Sequence, residues 1–162
     1  MGRGVQSGEG ITSYKWGDYD TYSALCEIID NAIQANAENI HIIVADKKVE
    51  ADSGRIVKRI SDVIIYDDGD GIAEDIMDIC LVHGGSDRLY AKKGMGKFGH
   101  GLPAASCTQA DRTEVYSWQD SDESLFTYFD FEELKVQEDP RLPDTKQAKV
   151  PKNILFPINL IS

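Results

Sequence analysis

The period of the apolar positions changes several times along the chain, and the changes lay out its elements. Between residues 20 and 37, Tyr22, Leu25, Ile29, Ala32 and Ile33 recur at steps of three and four, the stripe that holds an amphipathic helix to a core. Asp20 stands where an N-cap belongs. Residues 39–45 are β-branched, with Ile40, Ile42 and Val44 on one face of a predicted strand. A turn at 51–55 leads to a second strand through Val63-Ile64-Ile65-Tyr66, which stops sharply at Asp67-Asp68-Gly69-Asp70-Gly71. Residues 72–82 predict a short helix with Glu74 and Asp75 in its first turn. Residues 102–109 predict another, with Pro103 tolerated near its start. Residues 113–118 and 125–130 predict a hairpin.

Beyond Phe131 the chain turns polar and proline-spaced, then closes on an apolar run at 153–161 without a clear period. No element is predicted over 132–162. Strands joined by turns pair antiparallel and leave helices to cover one face. The fold class expected is α+β, a two-layer sandwich with a mixed, mostly antiparallel sheet.

Length and charge narrow this picture. A chain of 162 residues has room for one domain with a sizeable core, expected over 14–162 behind a flexible N-terminal segment, 1–13. It holds no run of eighteen apolar residues to cross a bilayer, and its first ten residues lack the apolar stretch of a signal peptide. Cys26, Cys80 and Cys107 stand far apart, which argues against a zinc site or disulfide framework and suits a reducing cytoplasm. The net charge of −11 makes direct DNA binding by this domain unexpected. Residues 84–101 run the other way, with Asp87 alone against Arg88, Lys92, Lys93 and Lys97. That basic, glycine-rich island reads equally as a small-anion site or as a solvated loop.

Three stretches carry candidate chemistry. In Glu27-Ile28-Ile29-Asp30-Asn31, Glu27 and Asn31 are four apart and share a helix face. An Asn oxygen is a hard neutral ligand suited to magnesium, and a carboxylate one turn away can polarise a water. A solvated i,i+4 pair is the competing account. Asp67 to Gly71 fits D-x-G-x-G at a strand end, where a carboxylate can accept from an exocyclic amine and glycines admit a flat ring. A plain Asp/Gly turn has the same composition. A calcium loop is not matched, because Gly69 occupies a ligand position. The third stretch is Gly94-Met95-Gly96-Lys97-Phe98-Gly99-His100-Gly101-Leu102. Its amides can converge on phosphate oxygens ahead of a helix N-terminus. No buried strand precedes its G-x-G-x-x-G, and no G-x-x-x-x-G-K-[ST] can be read, so dinucleotide-fold and Walker A readings fail.

Together and in this order, the three stretches resemble the N-box and two glycine boxes of the GHKL ATPase superfamily. Its members include gyrase B subunits, MutL proteins, ninety-kilodalton heat-shock chaperones, histidine kinases and MORC-type ATPases. The run Lys97-Phe98-Gly99-His100-Gly101-Leu102 is most similar to the MORC-like and chaperone-like branches. The resemblance implies a Bergerat-type fold that binds ATP with Mg2+ and hydrolyses it. It implies Asn31 on the magnesium and Glu27 as general base. It places Asp67 on the adenine amino group with Gly71 beside the ring. It gives Gly96, Gly99, Gly101 and Leu102 backbone contacts to phosphate, with Lys97 a phosphate partner within a lid over 84–97. Histidine kinases carry Asn where this chain has Glu27, so a kinase is disfavoured.

The resemblance further implies a nucleotide-dependent homodimer and a transducer or effector domain in the full-length protein, nuclear if the source is eukaryotic. Two family features, a Gly-Thr pair near the ATP and a transducer lysine, are not found. The domain is therefore expected to be C-terminally incomplete, with slow or absent turnover. A nucleotide-gated module that binds without hydrolysing is the alternative function.

Overall fold

A computed structural model describes residues 3–4, 20–82, 101–119, 123–152 and 154. In chain order the elements are β1 (Arg3–Gly4), α1 (Thr21–Gln34), β2 (Ile40–Glu50), β3 (Ile56–Asp67), α2 (Glu74–Met77) and α3 (Gly101–Gln109). They continue with β4 (Arg112–Ser117), β5 (Leu125–Asp130), α4 (Phe131–Lys135), β6 (Arg141–Leu142) and β7 (Lys146–Gln147). The class is α+β, as the sequence predicts. The strands form antiparallel ladders β1–β6, β2–β3 and β4–β5–β7.

Helix α1 starts where the sequence places it. The Asp20 carboxylate accepts from the Ser23 amide at 2.7 Å, a bond that holds this carboxyl below its ordinary value of 3.8. Its packing face is the predicted one only in part: of the stripe, Ala32 is buried and Leu25 and Ile29 are half-buried. Tyr22 and Ile33 are 77% and 57% exposed, whereas Ala24 and Ala32 are buried, with half-buried Ile28 midway between them. Ala24 and Ala32, eight positions apart on one face, leave room there for α3, and that helix contact shifts the face away from Tyr22 and Ile33. The two helices run antiparallel. Thr21 at the start of α1 donates to Gln109 at the end of α3, 2.8 Å away, while Glu27 lies against Gly101 at the start of α3.

The β2–β3 ribbon is longer than its hydrophobic pattern suggests. Ser61 is an extra residue, because Ala45 pairs with Asp62 and Asp46 with Ile60. This bulge breaks the period-2 alternation that sequence reading relies on. Ile42, Val44 and Val63 are exposed rather than buried, while His41, Ile43, Ile64 and Tyr66 on the opposite face are half-buried. The predicted helix over 72–82 is also shortened. Its α-turns end at Met77, and the chain continues through Ile79→Ile76 and Val82→Ile79 backbone bonds. Met77, Ile79 and Leu81 are all buried, a spacing of two that an α-helix cannot present to one core.

The main core gathers Leu81, Cys107, Phe129, Leu134 and Leu142, with Leu102 packed against it. It thereby joins α3, β5, α4 and β6. The span 132–147, for which no element is predicted, supplies Leu134 and Leu142. Asp130 caps α4 by accepting from the Glu132 and Glu133 amides at 3.0 Å each. None of the three cysteines is in a disulfide, and burial pushes the Cys80 thiol up to about 12, so it stays protonated and inert. No helix among the described residues is long and apolar enough to cross a membrane.

Candidate functional site

Glu27 and Asn31 lie half-buried one turn apart on α1. Among the described residues, neither side chain takes part in a hydrogen bond, so both remain able to meet a ligand. The Glu27 carboxylate sits at the N-terminal end of α3. A Cβ added to Gly101 would lie 1.8 Å from Glu27 Oε1, so a side chain at 101 would displace the carboxylate. Gly101 itself is buried. A negative charge at a helix N-terminus is electrostatically favoured.

Asp67 ends β3 and begins the acidic loop. Its Oδ1 accepts from the Gly69 amide at 3.0 Å, which fixes the carboxylate and leaves Oδ2 available to a donor. Gly71 adopts φ +72, and a Cβ there would lie 2.1 Å from the Trp118 carbonyl oxygen. Only glycine fits that conformation and that approach. The loop is further tied to the end of β4. Ile72 donates to Ser117 Oγ at 2.7 Å, Gln119 Nε2 reaches the Asp70 carbonyl at 3.3 Å, and the Tyr66 and Trp118 rings stack with centroids 6.4 Å apart.

The other side of the loop is bound to the segment leaving α1. Asp68 Oδ1 accepts from the Glu38 and Asn39 amides, and its Oδ2 from the Asn39 side chain, each at 2.8 Å. The Asn39 side-chain bond leads the interactions that lower the Asp68 pKa. Asp70 donates its amide to the Ala35 carbonyl at 2.7 Å and accepts from Asn36 Nδ2 at 2.5 Å. Asn36 has φ +61, the sole positive φ of a described non-glycine residue.

The structure thus brings Glu27 to Gly101 and joins the end of the Asn31 helix to the Asp67 loop. Leu102 turns its side chain into the core and its carbonyl accepts from Ser106 Oγ at 2.5 Å, so the contact expected of it would fall to its amide. Gly96, Lys97 and Gly99, with the rest of the 84–97 stretch, lie outside the described residues. Asn36, Asp68 and Asp70 were not singled out individually by sequence. An Asn just past a helix end is a legible cap signal, but its pairing with Asp70 is a tertiary fact. No cluster of three His, Cys, Asp or Glu side chains among the described residues could hold a metal ion.

The family described as histidine kinase-, DNA gyrase B- and HSP90-like ATPase matches residues 19–156. Protein MICRORCHIDIA 6 of Arabidopsis thaliana is 25% identical over 114 residues, which cover 70% of this chain and 16% of that protein.

Proposed function

The chain belongs to the histidine kinase-, DNA gyrase B- and HSP90-like ATPase family, and on that footing we propose that it binds Mg-ATP and hydrolyses it to ADP and phosphate. The observation that carries the chemical step is the Glu27 carboxylate lying against Gly101 at the start of α3. A base and a set of phosphate-binding amides are thereby adjacent. Asp67, with one oxygen fixed by Gly69, accepts the purine amino group with the other. The chemistry of the donors fits magnesium held mainly by phosphate and water. Magnesium keeps several waters and takes few protein ligands, in keeping with an amide oxygen at Asn31.

Asn31 would hold the metal, which when bound neutralises charge gathering on the phosphates. Glu27 orients a water and accepts its proton as the water oxygen bonds to the terminal phosphorus. The bond from that phosphorus to the bridging oxygen breaks, and ADP leaves with the electron pair. Pairing of two copies when nucleotide is bound, and coupling to an effector domain, belong to the same proposal.

Isothermal titration tests the binding half. The chain is expected to take up one Mg-ATP, and to gain about 2.7 kcal/mol of thermal stability at a hundred times the dissociation constant. The absence of both binding heat and stabilisation would sink the reading. Gly101→Ala tests the placement of the base. The three nearest atoms it would crowd belong to the Glu27 side chain, Cγ among them, so that side chain must turn as a whole. Phosphate release is expected to fall about a hundredfold, as for a reacting group misplaced by an ångström, with a melting curve run alongside to show that the variant is folded. Unchanged turnover in this variant would remove Glu27 from the site.

A further inference from the structure

The two ends of the proposed site stand on different elements, Asn31 on α1 and Asp67 at the end of β3. They must nevertheless keep one separation if a single nucleotide is to span them. The link between them is short and fully traced. The Asn31 carbonyl accepts from the Ala35 amide at 3.0 Å, and the Ala35 carbonyl accepts from the Asp70 amide at 2.7 Å. Asn36 then turns left-handed at φ +61, which aims its side-chain amide at Asp70 Oδ2, 2.5 Å away. Asn is one of the few residues that tolerate this conformation. Asp68 secures the next stretch, residues 38 and 39, with three bonds. None of these groups is needed to touch a ligand.

We propose that Asn36 and Asp70 are positioning residues that couple the metal end of the site to its adenine end, by fixing where the helix carrying Asn31 stops relative to the loop carrying Asp67. This rests on the nucleotide reading given above. Asp67 alone can recognise the purine, so the clasp matters most when the metal and the purine are engaged together. It sets how much magnesium tightens ATP binding.

The test is calorimetric titration of the whole chain with ATP, in magnesium and in a chelator. The quantity read is the ratio of the two dissociation constants. Asn36→Gly keeps the left-handed backbone and deletes the bond to Asp70. It is expected to shrink the magnesium-dependent tightening about fivefold, the worth of one hydrogen bond, while affinity in chelator stays within twofold. The exchange Asn36→Asp with Asp70→Asn rebuilds the bond with donor and acceptor reversed, and is expected to restore the ratio. A structural role alone would weaken binding equally with and without magnesium. An unchanged ratio in Asn36→Gly, or an exchanged pair no better than that variant, overturns the clasp while leaving the nucleotide reading intact. An unmodified chain that binds no ATP overturns both.

Discussion

Glu27→Gln is expected to lose ATP hydrolysis by about 10²- to 10⁴-fold, the usual contribution of a positioned general base, while still binding Mg-ATP. The substitution keeps the shape of a half-buried side chain that lies against Gly101 and removes only its capacity to accept a proton. No described hydrogen bond is lost, since the Glu27 carboxylate has none, so the melting temperature should hardly move. Phosphate release and calorimetric titration, run side by side, separate the two properties. A variant that turns over at the parental rate assigns the proton to another group. If the unmodified chain binds Mg-ATP but releases phosphate only at background, the protein is a nucleotide-gated module rather than an ATPase.

Gly71→Ala is expected to destabilise the fold severely. Two independent effects add at this position. The left-handed backbone at φ +72 costs an alanine about 1–2 kcal/mol. Its methyl would also lie 2.1 Å from the Trp118 carbonyl oxygen, a backbone atom that cannot rotate aside, and overpacking adds about 1–3 kcal/mol. A total near 3 kcal/mol lowers the melting temperature of a domain this size by about 6–12 °C. Gly54 provides the control. It has nearly the same backbone, φ +73, but its nearest atom is a Glu50 side-chain oxygen at 3.9 Å. Gly54→Ala is therefore expected to show the backbone cost alone, about 1–2 kcal/mol. Equal melting shifts for the two variants would mean that the loop is not pressed against β4 as described. ATP affinity should fall with Gly71→Ala and not with Gly54→Ala, because only Gly71 lies in the loop that begins at Asp67.

How far sequence reached depends on the range of the interaction that decides each feature. The Asp20 cap, the strand ending at Asp67 and the α3 helix are settled by local propensity and short turns, and all three stand close to where the sequence put them. The packing face of α1 is settled by its neighbour. Only the contact with α3 explains why Ala24 and Ala32 are buried and Ile33 is not. The ribbon's length was hidden by the Ser61 bulge, and α2 was cut short by a core that draws in Met77, Ile79 and Leu81 together. At the site, Glu27, Asn31, Asp67 and Gly71 were legible as motif positions. The nearness of Glu27 to Gly101, seventy-four positions along the chain, was not, nor was the bond between Asn36 and Asp70. Family resemblance supplied the roles; only the packing of α1 on α3 and of the acidic loop on residues 35–39 supplies their arrangement.

A crystal structure of the chain with magnesium and a non-hydrolysable ATP analogue tests the central claim most directly. The arrangement predicts one nucleotide with its purine amino group within hydrogen-bonding reach of the Asp67 carboxylate. It predicts the Asn31 side-chain oxygen on the metal and the terminal phosphate between Glu27 and the amides at the start of α3. An analogue seated away from Asp67, or one that meets Asp67 with its phosphates directed away from Asn31 and Gly101, would contradict it.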